Sequence, residues 1–289
     1  MKITTQTDIL RSNFSDTETV DILKEAGFDN IDFSFFSQRD YDVNIDKEEF
    51  KKKFTELRKY AEDKGMHFTQ AHAPFSSSYA DEAKTELRFR EIVSAMRNAS
   101  YLGIKHIVVH PCQHLSYIEG NNAEILYQYN MDFYSRLMPY AEEFNIVVCT
   151  ENMWQNYAAR KIWVSTCATP EEFNRYIDGM NSPYLRGCLD LGHTILVGQN
   201  PADFIRKMGA DRLVALHVHD VNGIEDSHTL PYYGIIRWDE VTCALKDIGY
   251  RGEITLEADS FIRNIPKDLM PTAEKLMAQT ARRLAEASC

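Results

Sequence analysis

Residues 213–220 read Leu-Val-Ala-Leu-His-Val-His-Asp, an apolar, partly β-branched run that closes on histidine and aspartate. The composition of its first half predicts a buried strand, and the polar tail predicts a strand end carrying reactive side chains. The same pattern returns at Ile31–Ser34, Phe68–His72, His106–His110, Ile146–Glu151, Leu185–Asp190 and Glu253–Glu257, with Lys2–Thr5 as an eighth run at the start. Successive run ends from Ser34 onward lie 38, 38, 41, 39, 27 and 40 residues apart, about the length of one strand–helix unit. Nearly eight such units fill 289 residues. The count predicts an α/β protein, a closed (β/α)8 TIM barrel, with residues 1–289 as one domain. The rival is a doubly wound open sheet. It normally has fewer units, and no Gly-x-Gly-x-x-Gly follows the first strand.

The intervening segments read as amphipathic helices. Phe50, Phe54, Leu57 and Ala61 fall at helical spacing, as do Phe89, Ile92, Met96 and Ala99. So do Leu126, Tyr129, Phe133 and Leu137, and in the last helix Leu269, Ala273, Leu276, Met277 and Leu284. These stripes are the faces a helix packs on a sheet. Ser15-x-x-Glu18, Asp46-x-x-Glu49, Thr169-Pro170-x-Glu172 and Asn200-Pro201 read as helix starts.

Composition removes several function classes. The formal net charge of −11 argues against nucleic-acid binding and against docking on anionic membrane. No apolar run approaches the length of a membrane span, and Met1–Asp8 does not read as a signal peptide. The six cysteines include no Cys-x-x-Cys pair, so they read as reduced thiols of a cytoplasmic protein. Fifteen tyrosines and fifteen phenylalanines leave material for a homo-oligomer interface.

In a (β/α)8 barrel, chemistry gathers where strands end. Here the ends carry His72, His110, Glu151, Asp190 with His193, His217 with His219, and Glu257 with Asp259; Asp226 and His228 follow the seventh strand. A lone strand-end histidine is more often structural. Six consecutive strands that each deliver a metal-competent side chain to one mouth are different, because convergent carboxylates repel unless a cation joins them. If these residues point inward, strand alternation also turns Val108, Cys149, Cys188, Ala215 and Thr255 inward. Those small residues suit a narrow barrel, which makes Cys149 and Cys188 filler rather than ligands.

At these residues the chain resembles the xylose-isomerase-like TIM-barrel superfamily. That group includes sugar phosphate isomerases and epimerases, ketose 3-epimerases, inosose dehydratases and abasic-site endonucleases of the endonuclease IV type. The resemblance is densest in His217-x-His219-Asp220, Asp226-Ser-His228-x-Leu230-Pro231, Gly234-x-Ile236-x-Trp238, Gly249-Tyr250-x-Gly252 and Leu256-Glu257. It implies a divalent-metal site of Glu151, Asp190, His217 and Glu257, suited to manganese, magnesium, cobalt or zinc. His72, His110, His193, Asp226 and His228 match the larger multi-metal site of endonuclease IV, or else contact substrate. It implies that Glu151 and Glu257 are the catalytic pair, moving a proton through an enediolate of a sugar, sugar phosphate or polyol derivative. His193 and Trp154 would then bind the carbohydrate. The rivals it carries are an abasic-site phosphodiesterase and an inosose dehydratase-like lyase. His219 departs from the lysine or asparagine usual there, and either faces the ligand or serves structure. Tyr232-Tyr233-Gly234 replaces a family Gly-x-Gly. Arg160, Lys161 and Arg237 are isolated candidates for a phosphate grip.

Overall fold

The computed structural model describes residues 1–157 and 160–287, without the side chains of 157, 160 and 161. Among the described residues, ten strands run in chain order: β1 (Ile3–Thr5), β2 (Ile31–Ser34), β3 (Phe68–His72), β4 (His106–Val108), β5 (Val147–Glu151), β6 (Trp154–Tyr157), β7 (Arg160–Val164), β8 (Leu185–Asp190), β9 (Leu213–His217) and β10 (Ile254–Leu256). Eight of them are parallel neighbours. Strands β2-β3-β4-β5-β8-β9 form one continuous sheet, and β1 pairs with β10. Single parallel bridges, Gln6 with Asp32 and Val218 with Leu256, join the two sheets on both sides and close the cylinder. The (β/α)8 barrel is therefore present, with strand positions close to those read from the chain. The β6–β7 antiparallel hairpin was not expected. It is an excursion of the loop after β5 and lies outside the strand–helix rhythm.

The helices form an outer layer, as their apolar faces require. Phe50, Phe54, Leu57 and Ala61 are buried, and so are Phe89, Ile92, Met96 and Ala99. Three stripe members instead face outward, namely Tyr129, Leu269 and Leu276. The helix starts behave as predicted. Ser15 and Glu18 form a reciprocal capping box, and Asp46, Thr169 and Asn200 each accept a backbone N–H in the first turn.

Inside the cylinder, Val108, Cys149, Cys188 and Ala215 pack as a separate small cluster, and Thr255 is buried with them. This is the layer that alternation predicted. It forms a floor on which the strand-end residues stand. Cys112, Cys149, Cys167 and Cys188 are free and buried. The reduced reading fails at Cys243, which is disulfide-bonded; it lies in the helix Trp238–Asp247, and no spacing motif marks it. No described helix is long and apolar enough to cross a membrane.

Candidate metal centre

The backbone first fixes the rim. Asn152 donates through Nδ2 to the Asp190 carbonyl at 2.9 Å and accepts the Asp190 N–H at 2.7 Å, tying the end of β5 to the end of β8. Asp190 then caps the short helix Leu191–Leu196, accepting the His193 N–H at 2.7 Å. Asp220 organises the long loop after β9. It accepts the backbone N–H groups of Val221, Tyr232 and Ile236 and the indole N–H of Trp238. A Cβ at Gly234 would stand 2.2 Å from the Asp220 carboxylate, so this motif residue must lack a side chain.

The nine donors that the resemblance implies meet at one mouth, with His219 beside them. Glu151, Asp190, His217 and Glu257, all buried, bring ligand atoms within 4.8 Å of one another. Four further groups adjoin it, namely His72 with His110 and Glu151, His72 with His217 and Glu257, His193 with Asp226 and His228, and His219 with His228 and Glu257. Glu151 belongs to two groups and joins them. His217 Nδ1 lies 3.3 Å from Glu151 and 3.0 Å from Glu257, between the two carboxylates. Gln6, which sequence reading missed, donates to Glu257 Oε1 at 2.8 Å.

The imidazoles are oriented as metal ligands are. His72 Nδ1 lies 2.7 Å from the Ala73 carbonyl, His193 Nδ1 is 2.8 Å from the Asn152 carbonyl, and His228 Nδ1 is 3.0 Å from the Glu257 carbonyl. A carbonyl only accepts, so each Nδ1 carries the hydrogen and a neutral ring turns a bare Nε2 inward. Those Nε2 atoms then meet other acceptors. His72 Nε2 faces His110 Nε2 at 2.9 Å, while His193 Nε2 and His228 Nε2 lie 3.3 Å and 3.1 Å from one oxygen of Asp226. Such contacts need a proton or a cation between them.

Unpartnered atoms mark the same place. His217 Nε2 and Asp226 Oδ1 are buried without hydrogen bonds, and His217 Nδ1 and Glu151 Oε2 have only contacts between potentially charged groups, 3.0 Å to Glu257 and 3.1 Å to His110. Buried polar atoms are normally satisfied, so these residues fit a divalent ion. Protonation answers the same need in the ion-free protein. Burial pushes the Glu151 carboxyl upward, but His217 and His110 outweigh it and hold it well below the carboxylate range. Burial acts likewise on Glu257 and Asp226, and histidines again prevail and lower both. Burial, with His110 beside it, presses His72 down to about 3 and keeps it neutral. His228 goes the other way. Its burial is outweighed by Asp226 and Glu257, which raise it to about 10.

The remaining predicted residues fall as follows. Trp154 walls the mouth from β6 and donates Nε1 to Asp226 at 3.1 Å. His219 turns inward, its Nε2 against both oxygens of Asp190. Asp259 is pushed up to about 6 by burial and by Glu257. Arg237 is highly exposed and pairs with Glu240, so it does not reach the mouth. The side chains of Arg160 and Lys161 lie outside the described residues.

A closed parallel barrel with carboxylates and imidazoles gathered at the C-terminal ends of its strands defines a class, the TIM barrel with a candidate metal site at its mouth. Within it, the chain belongs to the xylose isomerase-like TIM barrel family, whose pattern matches residues 20–287. A protein of Methanocaldococcus jannaschii is 30% identical over 191 residues, which cover 64% of this chain and 62% of that protein. The D-psicose 3-epimerase of Enterocloster bolteae is 27% identical over 256 residues, covering 82% of this chain and 75% of that enzyme. The solved structure of a D-tagatose 3-epimerase-like protein superposes with a TM-score of 0.74 at 23% identity, over 99% of both chains. That of the IolI protein, solved with a zinc atom, gives 0.75 at 17% identity over 99% and 96%.

Proposed function

We propose that this chain is a divalent-metal-dependent isomerase or epimerase of a sugar, sugar phosphate or polyol derivative. The observation that carries the reading is the placement of two buried carboxylates, Glu151 and Glu257, on either side of His217 within one four-residue donor group. The likeness to a named D-psicose 3-epimerase supports sugar as the substrate class.

Glu151, Asp190, His217 and Glu257 would hold the ion. Three carboxylates and one imidazole suit manganese, magnesium or cobalt; the imidazole-rich groups around them move the balance toward zinc. When bound, the ion supplies Lewis acidity toward a carbonyl and a neighbouring hydroxyl of the open-chain sugar. The chain supplies proton transfer. Glu151 and Glu257 approach from the ends of β5 and β10, one to take the proton from the carbon beside the carbonyl and the other to return it on the opposite face. Gln6 steadies Glu257 for this role. If a single carboxylate works alone, the outcome is isomerisation or loss of water, as in an inosose dehydratase-like lyase. Trp154 and His193 line the side on which the carbohydrate enters.

The test is metal stripping and add-back followed by a ketose and inosose panel in heavy water, with carbon-bound deuterium read by NMR. Glu151→Gln and Glu257→Gln should each lower turnover by roughly 10²–10⁴-fold. If both leave turnover of a validated substrate intact, the proposal fails.

One observation favours a second reading. Ten donors in five overlapping groups include the nine that a multi-metal phosphodiesterase acting at abasic sites in DNA would use. The net charge of −11 weighs against a DNA-binding face. Clean incision of an abasic duplex would reverse the ranking.

A further inference from the structure

His219 is fully buried, and its Nε2 lies 2.9 Å and 3.0 Å from the two carboxylate oxygens of Asp190. Carboxylate oxygens only accept, so Nε2 carries the hydrogen. The ring lies flat on the ring of His228, with centroids 4.0 Å apart and planes at 7°. His193 stands edge-on to it, at 6.2 Å and 79°. Space for this ring is cut by Gly192, where a Cβ would come within 2.2 Å of His219 Cε1. His228 holds a left-handed backbone with φ of 38°. A residue with a side chain keeps that conformation only where its surroundings enforce it. The stacked ring and the bond to the Glu257 carbonyl do so here.

Asp190 belongs to the central group with Glu151, His217 and Glu257, while His228 belongs to the outer group with His193 and Asp226. His219 touches one member of each. We propose that His219 is a positioning residue that couples the two groups. It donates to the central carboxylate through Nε2 and gives the outer imidazole a platform through its ring face. The proposal rests on the reading that this mouth holds divalent ions. A ligand carboxylate keeps its orientation through the partner on its oxygens. That partner is here locked by a ring of the neighbouring group, so filling the outer group fixes His228, then His219, then Asp190. The two groups load cooperatively as a result.

The experiment strips the full-length protein and titrates Zn²⁺, and separately Mn²⁺, against a chromophoric competing chelator. Asp226→Asn assigns the outer class of site by removing it. H219F keeps a stacked ring without the donor, and it lowers affinity of the central class by roughly 10–100-fold. H219Q keeps a donor at similar reach without the ring. It leaves the central class near wild type, weakens the outer class and abolishes the cooperativity. Thermal unfolding of each ion-free variant is compared first. If H219F does not fold, H219Q decides alone, since the proposal requires it to weaken the outer class and spare the central one. Variants that match wild type in both classes overturn the proposal, as do variants that weaken both classes equally. A wild-type protein that takes up neither ion overturns the metal reading, and this proposal with it.

Discussion

Glu274 sits in the helix Met270–Ala285 with no exposed surface, and neither carboxylate oxygen has a hydrogen-bond partner. Burial, reinforced by Asp259, pushes its pKa from 4.5 up to about 8. The folded protein therefore holds a proton here that the unfolded chain releases near pH 4.5. The associated stability is fully present below pH 4.5 and is lost as the pH rises toward 8. A shift of that size is linked to roughly 5 kcal/mol across the full range, of which about 2 kcal/mol falls between pH 6.5 and 9. Glu274→Met keeps the length of the side chain and removes the titration. At a few degrees per kcal/mol, wild-type Tm should fall by roughly 4–8 °C over that interval relative to the variant. Differential scanning calorimetry of both proteins in matched buffers at pH 6.5, 7.5, 8.2 and 9 measures the difference, and taking the difference cancels the titrating groups that do not interact with Glu274. Two parallel profiles would show that Glu274 is either hydrated or already ionised, and would refute the reasoning.

Three further outcomes follow from the same geometry. Arg11→Met leaves Asp40 buried with only Lys53 as a cationic partner, because Arg11 now binds Asp40 at 2.8 Å and Asp16 at 2.9 Å; urea unfolding should show a loss of roughly 3–5 kcal/mol. Asp220→Ala removes the acceptor for three backbone amides and the Trp238 indole, so limited proteolysis should cut within 221–236 while the rest of the barrel resists. Gly234→Ala forces a Cβ onto the same carboxylate and should reproduce that cleavage pattern in milder form.

The strands were legible because each carries its signal locally, as an apolar run with a polar end, and because their spacing is nearly constant. The donor set was legible for the same reason, since a barrel brings every strand end to one place. Other parts of the site are made by contacts between distant segments. Nothing about Gln6 in the sequence says that it will reach Glu257, 251 residues away. Asn152 ties two strand ends by copying a backbone hydrogen-bond pattern, which no composition rule marks. The β6–β7 hairpin is a loop insertion, and alternation over four or five residues does not separate it from an irregular loop. The orientation of His219 depends on a missing side chain at Gly192, a tertiary fact invisible in either residue alone.

The charge of the centre ties its metal content to its substrate. Glu151, Asp190, Asp226 and Glu257 contribute four negative charges, and His72, His110, His193, His217 and His228 are neutral when they act as ligands. Two divalent ions balance that set. A third would leave two uncompensated positive charges in a buried mouth, which is costly unless an anion accompanies it. A hydroxide formed from metal-bound water supplies one such charge and a phosphodiester the second, whereas a neutral ketose adds none to the hydroxide. The sugar reading therefore expects one or two ions per chain in elemental analysis of protein loaded to saturation and desalted, unchanged by a neutral ketose. The phosphodiesterase reading expects a third ion that is retained with a phosphate ester and lost without it. A third ion held as tightly as the first two, in buffer free of phosphate and ketose alike, would break the charge argument and remove this means of choosing between the two readings.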